Sequence, residues 1–201
     1  MPSFVFIPSP EKDFAMNRSL SRFASVAASA LALVLPLAAS AAEAPYRDAA
    51  QVRAELAKIV TCEATREEFM RMGSALTPLY YDKPEEVQPA LAGWRNAKDA
   101  NTFVAIFEMP EPIKVYGHST KQVMMAGEGL LAVIDGDVAD ALSKQFKLKP
   151  SDEPLAKHIH TRELRREALG DGIDATVTQT VSTLSTHPGK TMVGCEYKMV
   201  W

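Results

Sequence analysis

The stretch between residues 102 and 148 constrains the fold of this chain most, because short apolar runs alternate in it with turn residues. Residues 103–108 repeat with a period of two, which is the period of a strand, and aromatic and β-branched residues favour strands. The sequence Met109-Pro110-Glu111-Pro112 is predicted to stop this strand, since proline cannot donate to a ladder. Apolar runs at 113–116, 122–126 and 130–134 predict three more strands.

One helix is predicted to follow this group of strands. The carboxylate of Asp137 can cap it by accepting hydrogen bonds from free backbone N–H groups. Val138, Leu142 and Phe146 are spaced four residues apart, so they fall on one face of the helix. Three lysines cluster near its C-terminal end, where the helix dipole favours cations: Lys144, Lys147 and Lys149.

The rest of the chain supplies helices before this stretch and strands after it. Residues 47–60 and 63–76 carry apolar residues at helical spacing, with Thr61 as the break and cap between them. Residues 157–169, 173–185 and 191–201 read as strands, the first two joined by a Gly-Asp-Gly hairpin turn. The fold class predicted is α+β: an N-terminal helix pair and one further helix packed on a mainly antiparallel meander sheet of about six or seven strands.

The N-terminal region has the pattern of a secretory signal peptide. A basic segment follows Met16, an apolar core runs through residues 23–38, and Ala39-Ser40-Ala41 is a small-residue cleavage site. The apolar core is too short to span a bilayer. We therefore predict that translation starts at Met16, that residues 1–41 are the signal region, and that residues 42–201 form a single exported, periplasmic or secreted domain.

The charge of the domain excludes some classes of partner. Residues 42–201 contain 19 basic and 23 acidic residues, a net charge of −4. Such a balance argues against nucleic acid and against a polybasic membrane surface. The expected partner is another envelope or secreted protein, with no membrane insertion after cleavage and no cofactor.

Two cysteines, Cys62 and Cys195, are the only ones in the chain. In an exported protein such a pair most often forms one disulfide. The bond would join the helical region to the last strand and would close a long loop. Two free thiols or a reactive nucleophile are the alternatives, but neither cysteine belongs to a C-x-x-C pair.

Residues 77–101 form the least regular part of the chain, with three prolines and with one short helix predicted over 85–92. Long irregular connections are often functional or disordered. This one carries Tyr80, Tyr81 and Trp94, and aromatic residues are common anchors of recognition surfaces. They also commonly attach an irregular segment to the core, so both interpretations stay open. The three aromatics are the predicted binding residues.

A metal site is the second possibility. His158 and His160 are two residues apart, so on a strand both would lie on one face and could bind copper or zinc. Met124 and Met125 could add thioether ligands. A third ligand at a recognisable spacing is not visible, and a solvated pair of histidines at a strand edge is the favoured explanation of the pattern.

Catalytic patterns are weaker still. His118-Ser119 is not a Ser–His pair, because neighbours on a strand face opposite ways. The carboxylates Glu108, Glu111, Asp135 and Asp137 flank turns, and their positions fit turn and cap roles. The first hypothesis is thus a non-enzymatic exported binding protein that acts on another envelope protein, as an inhibitor, immunity or accessory factor. The alternative is a periplasmic copper- or zinc-binding protein that uses His158 and His160.

Overall fold

The computed structural model describes residues 44–97, 103–152, 156 and 158–201, all within one compact unit, Ala41–Trp201. The predicted signal region 1–41 lies outside the described residues. The helices are α1 (Ala49–Val60), α2 (Arg66–Tyr80) and α3 (Ala139–Gln145), with short 3-10 helices at Pro84–Glu86 and Pro89–Leu91. The strands are β1 (Arg95–Asn96), β2 (Val104–Val115), β3 (His118–Ala126), β4 (Gly129–Asp135), β5 (Lys149–Pro150), β6 (Ile159–Gly170), β7 (Ile173–Ser182) and β8 (Lys190–Val200).

The described fold is α+β, with three helices on one antiparallel sheet, as predicted. The sheet has eight strands, however, in the order β1-β2-β3-β4-β8-β7-β6-β5, so the predicted number of six or seven was wrong. The additional strands β1 and β5 are two residues long and lie at the edges. A two-residue strand has no periodicity that a sequence pattern could show.

The connections also differ from a simple meander. The last strand, β8, lies between β4 and β7 in the middle of the sheet. The chain leaves β4, forms α3, and then starts again at the far edge with β5. The sheet therefore consists of two antiparallel meanders that meet along β4 and β8.

β2 passes through the prolines that were predicted to end it. Its pairing with β3 shifts register between Glu108 and Ile113, around Pro110 and Pro112. The two-residue β1 pairs only with Phe107 and Glu108, so the prolines lie where β2 has no described strand on its outer side. Proline is tolerated on such an edge because no ladder hydrogen bond is lost. The predicted strands at 103–108 and 113–116 are consequently one bulged strand.

Both N-terminal helices begin later in the chain than predicted. α1 begins after Asp48, whose side chain accepts a hydrogen bond from the N–H of Gln51 at 2.8 Å. α2 is capped by Thr65 and Glu68, which form a reciprocal capping box. Thr61 is the C-cap of α1, as predicted. The prediction that it also caps α2 was wrong, because Thr65 is the N-cap of that helix.

α3 is shorter than predicted and has no side-chain cap. Its N-cap residue is Val138, and the predicted cap by Asp137 was wrong. The backbone N–H of Val138 instead donates to the hydroxyl of Thr191 in β8, at 3.0 Å. Leu142 is buried, as its position on the apolar face predicts. Lys147 and Lys149 lie beyond the end of the helix.

The main hydrophobic core lies between the helices and one face of the sheet. Leu56 and Ile59 of α1 and Leu76 of α2 have no exposed surface, and they pack in one cluster with Val193 and Tyr197 of β8. A smaller cluster lies on the opposite face of the sheet. Its buried residues are Ile106, Met124, Leu131, Val133 and Met192.

The predicted disulfide joins the end of α1 to the middle of β8. The sulfur atoms of Cys62 and Cys195 are at disulfide distance, and their Cα atoms are 5.4 Å apart. Cys62 has a φ of 66°, a left-handed conformation that turns the chain out of α1. No described helix is both long and apolar enough to cross a membrane.

Candidate functional site

Tyr80 and Tyr81 lie at the end of α2, and both are among the exposed large apolar residues of the protein. Tyr80 is 42% exposed and Tyr81 is 65% exposed. The two rings meet edge to face with centroids 4.9 Å apart, a favourable aromatic geometry. The next residue, Asp82, is left-handed with a φ of 54°, so the chain turns away directly after the pair.

A third exposed aromatic residue faces the same cleft. Phe103, immediately before β2, is 88% exposed. Together with Tyr80 and Tyr81 it borders a cleft of about 240 Å³ between α2 and the end of the sheet. Leu76 and Phe107, both almost completely buried, also line this cleft. We call it the aromatic cleft.

The described residues that line the aromatic cleft carry no formal charge. They are Leu76, Thr77, Tyr80, Tyr81, Phe103, Val104, Ala105, Phe107, Met125 and Gly127. The hydroxyl of Thr77 donates to the carbonyl of Gly73 at 2.9 Å, so its hydrogen-bonding capacity is partly used within α2. A charged ligand group would find no ionic partner among these residues, and burying an unpaired charge is costly. The described lining therefore favours apolar side chains.

Trp94, the third predicted binding residue, lies elsewhere. It is only 7% exposed and belongs to the main core. It lines a different cleft, of about 490 Å³, together with Leu91 and Val87 of the proline-rich segment. The predicted short helix at 85–92 is replaced there by the two 3-10 helices. For Trp94 the structure favours the core role over recognition, whereas Tyr80 and Tyr81 are available at the surface.

Phe103 was missed as a surface residue because the strand pattern placed it within an alternating apolar run. Its one distinguishing signal is its position, since it is the first apolar residue after the polar stretch that ends at Thr102. The exposure of Phe103 depends on where α2 ends relative to the start of β2, and the residues around Phe103 in the sequence do not show this.

The two histidines lie at the start of β6. His158 is exposed, and His160 is half-buried with a buried Nδ1 atom that has no hydrogen-bond partner among the described residues. Met124 and Met125 are on β3, four strands away, which corresponds to about 19 Å at the usual strand spacing. These methionines therefore cannot complete a site with the histidines. The described residues contain no group of three or more His, Cys, Asp or Glu side chains that could hold a metal ion.

Three of the four carboxylates considered for catalysis form ion pairs at the surface. Glu108 pairs with Arg95, Asp135 pairs with Lys190, and Glu111 pairs with Arg53 at 2.8 Å. Each of these three carboxylates therefore has a cationic partner.

Two tyrosines, the partly buried Tyr116 and the buried Tyr197, have raised pKa values, and both have structural roles. Loss of solvation raises the pKa of Tyr116 to about 12 and also raises the pKa of Tyr197. Their hydroxyl groups donate to the carbonyl oxygens of Val60 and Ile59 at the end of α1. A phenol with a raised pKa stays protonated, which is the state that this hydrogen bond requires.

Comparisons with protein-family models, with curated proteins and with solved structures found no match. The function has to be argued from the geometry of the chain itself.

Proposed function

We propose that this chain is an exported, non-enzymatic binding protein that docks another protein through the aromatic cleft. The observation that carries the proposal is the convergence of Tyr80, Tyr81 and Phe103 on one cleft whose described lining is uncharged. Tyrosine is enriched among the residues that dominate binding energy at protein interfaces, since it combines a large apolar area with a polar tip.

The size of the aromatic cleft favours a side chain over a small molecule. Its volume of about 240 Å³ lies below the range of about 300–1,000 Å³ that is usual for small-molecule sites. A single large apolar side chain, presented by a partner protein, can fill such a space. The exposed faces of Tyr81 and Phe103 would then cover the backbone around that side chain.

The disulfide supports the exported part of the proposal. Disulfides persist in oxidising compartments such as the periplasm and the cell exterior, and they are rare in the reducing cytosol. Cys62 and Cys195 are the only cysteines, and they are paired. An inhibitor, immunity or accessory factor in the cell envelope fits a small exported domain with an apolar recognition site.

The proposal is tested by selecting peptide ligands on the purified protein. Random peptides displayed on phage are panned on the wild type, and enriched sequences are measured by fluorescence anisotropy. We expect the enriched peptides to share one large apolar or aromatic residue. Removal of an interface anchor typically weakens binding by about 2 kcal/mol or more, so Tyr81→Ala and Phe103→Ala should weaken it about 30-fold.

Leu169→Ala is the matched control for these variants. Leu169 is 46% exposed on β6, at the other side of the sheet, so its removal changes exposed apolar area without touching the cleft. Trp94→Ala is unsuitable, because a buried aromatic residue cannot be truncated without destabilising the core. Peptides that bind the double variant Tyr81→Ala/Phe103→Ala as tightly as the wild type would refute the proposal.

A further inference from the structure

A second cleft, at the opposite edge of the sheet, differs from the aromatic cleft in its charge. It has a volume of about 490 Å³ and lies where the chain passes from α3 through β5, beside the start of β6. The cations of its lining are Lys147, Lys149 and Arg162. We call it the cationic cleft.

The backbone fixes the three cations at this edge. Lys147 has a left-handed φ of 55°, which turns the chain from α3 towards β5. Lys149 pairs with Thr161 in the ladder, and the N–H of Ser151 donates to the carbonyl of Ile159 at 2.8 Å. These main-chain bonds hold Lys149 beside the strand that carries Arg162.

Arg162 differs from the other arginines of the described ranges. Each of the others donates to a side-chain acceptor, and six of them pair with a carboxylate. Arg162 is exposed in the cationic cleft and has no ion pair or hydrogen bond through its side chain within the described part of the chain. A guanidinium group presents several donors in a fixed plane, which suits the oxygens of an anion.

The acidic residues of the lining leave an excess of positive charge. Glu163 accepts hydrogen bonds from Arg166, at 2.9 Å and 3.3 Å, and this interaction lowers the pKa of its carboxyl group. Glu163 is thus already neutralised by a residue outside the lining. Asp152 is the other acidic residue among the described residues of the lining. With three cations and two acidic residues, the described lining therefore has a small excess of positive charge, on a chain whose net charge is −3.

We propose that the cationic cleft binds a small, multiply charged anion that carries phosphate or carboxylate groups. Arg162 would contact two oxygens of one group, and Lys147 and Lys149 would neutralise the remaining charge. The volume of about 490 Å³ lies within the range of small-molecule sites. The hydroxyl group of Thr161, which also lines the cleft, can act as an additional hydrogen-bond donor.

The test is isothermal titration of the purified full-length protein with inorganic pyrophosphate and, separately, with citrate. We expect one saturable site for at least one of the two anions, and the preferred anion identifies phosphate or carboxylate as the recognised group. Arg162→Gln should weaken binding about tenfold or more, because a charge-assisted hydrogen bond is lost. Lys149→Gln should weaken it as well, and thermal unfolding checks that each variant is folded.

Lys144→Gln is the matched control, since it removes one exposed positive charge from α3 outside the lining of the cleft. It should change the affinity by less than about twofold, as expected for a solvent-exposed charge that does not line the cleft. Equal losses in Lys144→Gln and Arg162→Gln would overturn the proposal, because they would show attraction by general charge and not a site. Absence of saturable binding would also overturn it.

A vesicle assay separates a small-anion site from a membrane-binding patch. Binding to phosphatidylglycerol vesicles, with no binding of pyrophosphate or citrate, would overturn the proposal in favour of a surface for anionic lipid. The peptide-binding test of the aromatic cleft is independent, because that cleft lies at β2 and β3 and the cationic cleft at β5 and β6.

Discussion

The hydroxyl of Tyr197, in the last strand, donates a hydrogen bond of 2.8 Å to the carbonyl oxygen of Ile59, in the last turn of α1. The hydroxyl of Tyr116 donates to the next carbonyl, that of Val60, at 2.7 Å. Carbonyl groups in the last turn of a helix lack their usual intrahelical partners. The sheet therefore supplies the donors that the helix end needs, beside the disulfide that joins the same two elements.

The first prediction concerns this hydrogen bond. Tyr197→Phe should lower the free energy of unfolding by about 1 kcal/mol, the usual net contribution of one hydrogen bond. The loss is limited because Ile59 keeps a second donor, the N–H of Cys62 at 3.1 Å. The ring stacking on Phe69, with centroids 5.0 Å apart, should be retained. Urea unfolding measures the change, and the exposed Tyr81→Phe is the control that should leave stability unchanged.

The second prediction concerns the disulfide. Cys62 and Cys195 are separated by 133 residues, so the bond closes most of the domain into one loop. The double variant Cys62→Ala/Cys195→Ala should lower the free energy of unfolding by about 3–5 kcal/mol, since the unfolded chain regains conformational entropy. Urea unfolding of the wild type and of this variant, each with and without a reducing agent, makes the measurement. A wild-type protein whose stability does not respond to the reducing agent would contradict the prediction.

The third prediction concerns alkaline pH. Burial raises the pKa of Tyr116 to about 12, above its value of about 10 in an unfolded chain. The folded state therefore holds the phenolic proton more tightly than the unfolded state. The resulting stability is fully present below pH 10 and is lost as the pH rises towards 12.

Urea unfolding at a series of pH values between 8 and 12 tests this dependence. The wild type should lose on the order of 2 kcal/mol through Tyr116 across that window, in addition to any effect of lysine deprotonation. Tyr116→Phe should show a shallower loss over the same window, because one of the two phenols with a raised pKa is gone. Identical slopes for the two proteins would exclude Tyr116 as a source of the dependence.

The fourth prediction compares two glycines in different surroundings. A Cβ atom at Gly194 would lie 2.3 Å from the carbonyl oxygen of Leu130 in the adjacent strand, so Gly194→Ala must displace backbone. At Gly73, in the interior of α2, the nearest atom to a Cβ would be the terminal methyl of Met125, at an ordinary contact distance of 3.7 Å.

Gly194→Ala should therefore destabilise the protein by about 1–3 kcal/mol, as overpacking does. Gly73→Ala should stabilise it by about 0.5–1 kcal/mol, because alanine loses less conformational freedom in a helix. Thermal unfolding of both variants and of the wild type measures these two changes in stability. A destabilising effect of Gly73→Ala would mean that α2 and the sheet approach each other more closely than the contact distance indicates.

Several parts of the fold could be predicted from the sequence because their signals are local. Residues 157–169 contain strong helix formers, yet the Gly-Asp-Gly turn and the Thr- and Val-rich run after it predicted a strand, and the structure has β6 and β7 there. The pairing of Cys62 with Cys195 followed from their number and the expected compartment. The edge strands β1 and β5 could not be predicted, because two residues extend a sheet only where a neighbouring strand happens to be free.

The candidate site shows the same division. The sequence identified Tyr80 and Tyr81 by residue type and by their irregular surroundings, but it grouped them with Trp94, which is buried in the core. It did not identify Phe103, which lies 22 positions after Tyr81 and borders the same cleft. That the end of α2 and the start of β2 line one cleft is a long-range relationship that residue type alone cannot reveal.

The sequence by itself determined the α+β class, the helical start, most of the strands and the disulfide, since periodicity, turn residues and cysteine count act over short distances or through simple counting. Tertiary structure decided that β8 lies between β4 and β7, that Trp94 is buried, and which residues share a cleft. The physical reason is that burial and proximity depend on how whole elements pack. The exposure of Phe103 and the isolation of Arg162 are results of that packing, and no local pattern encodes them.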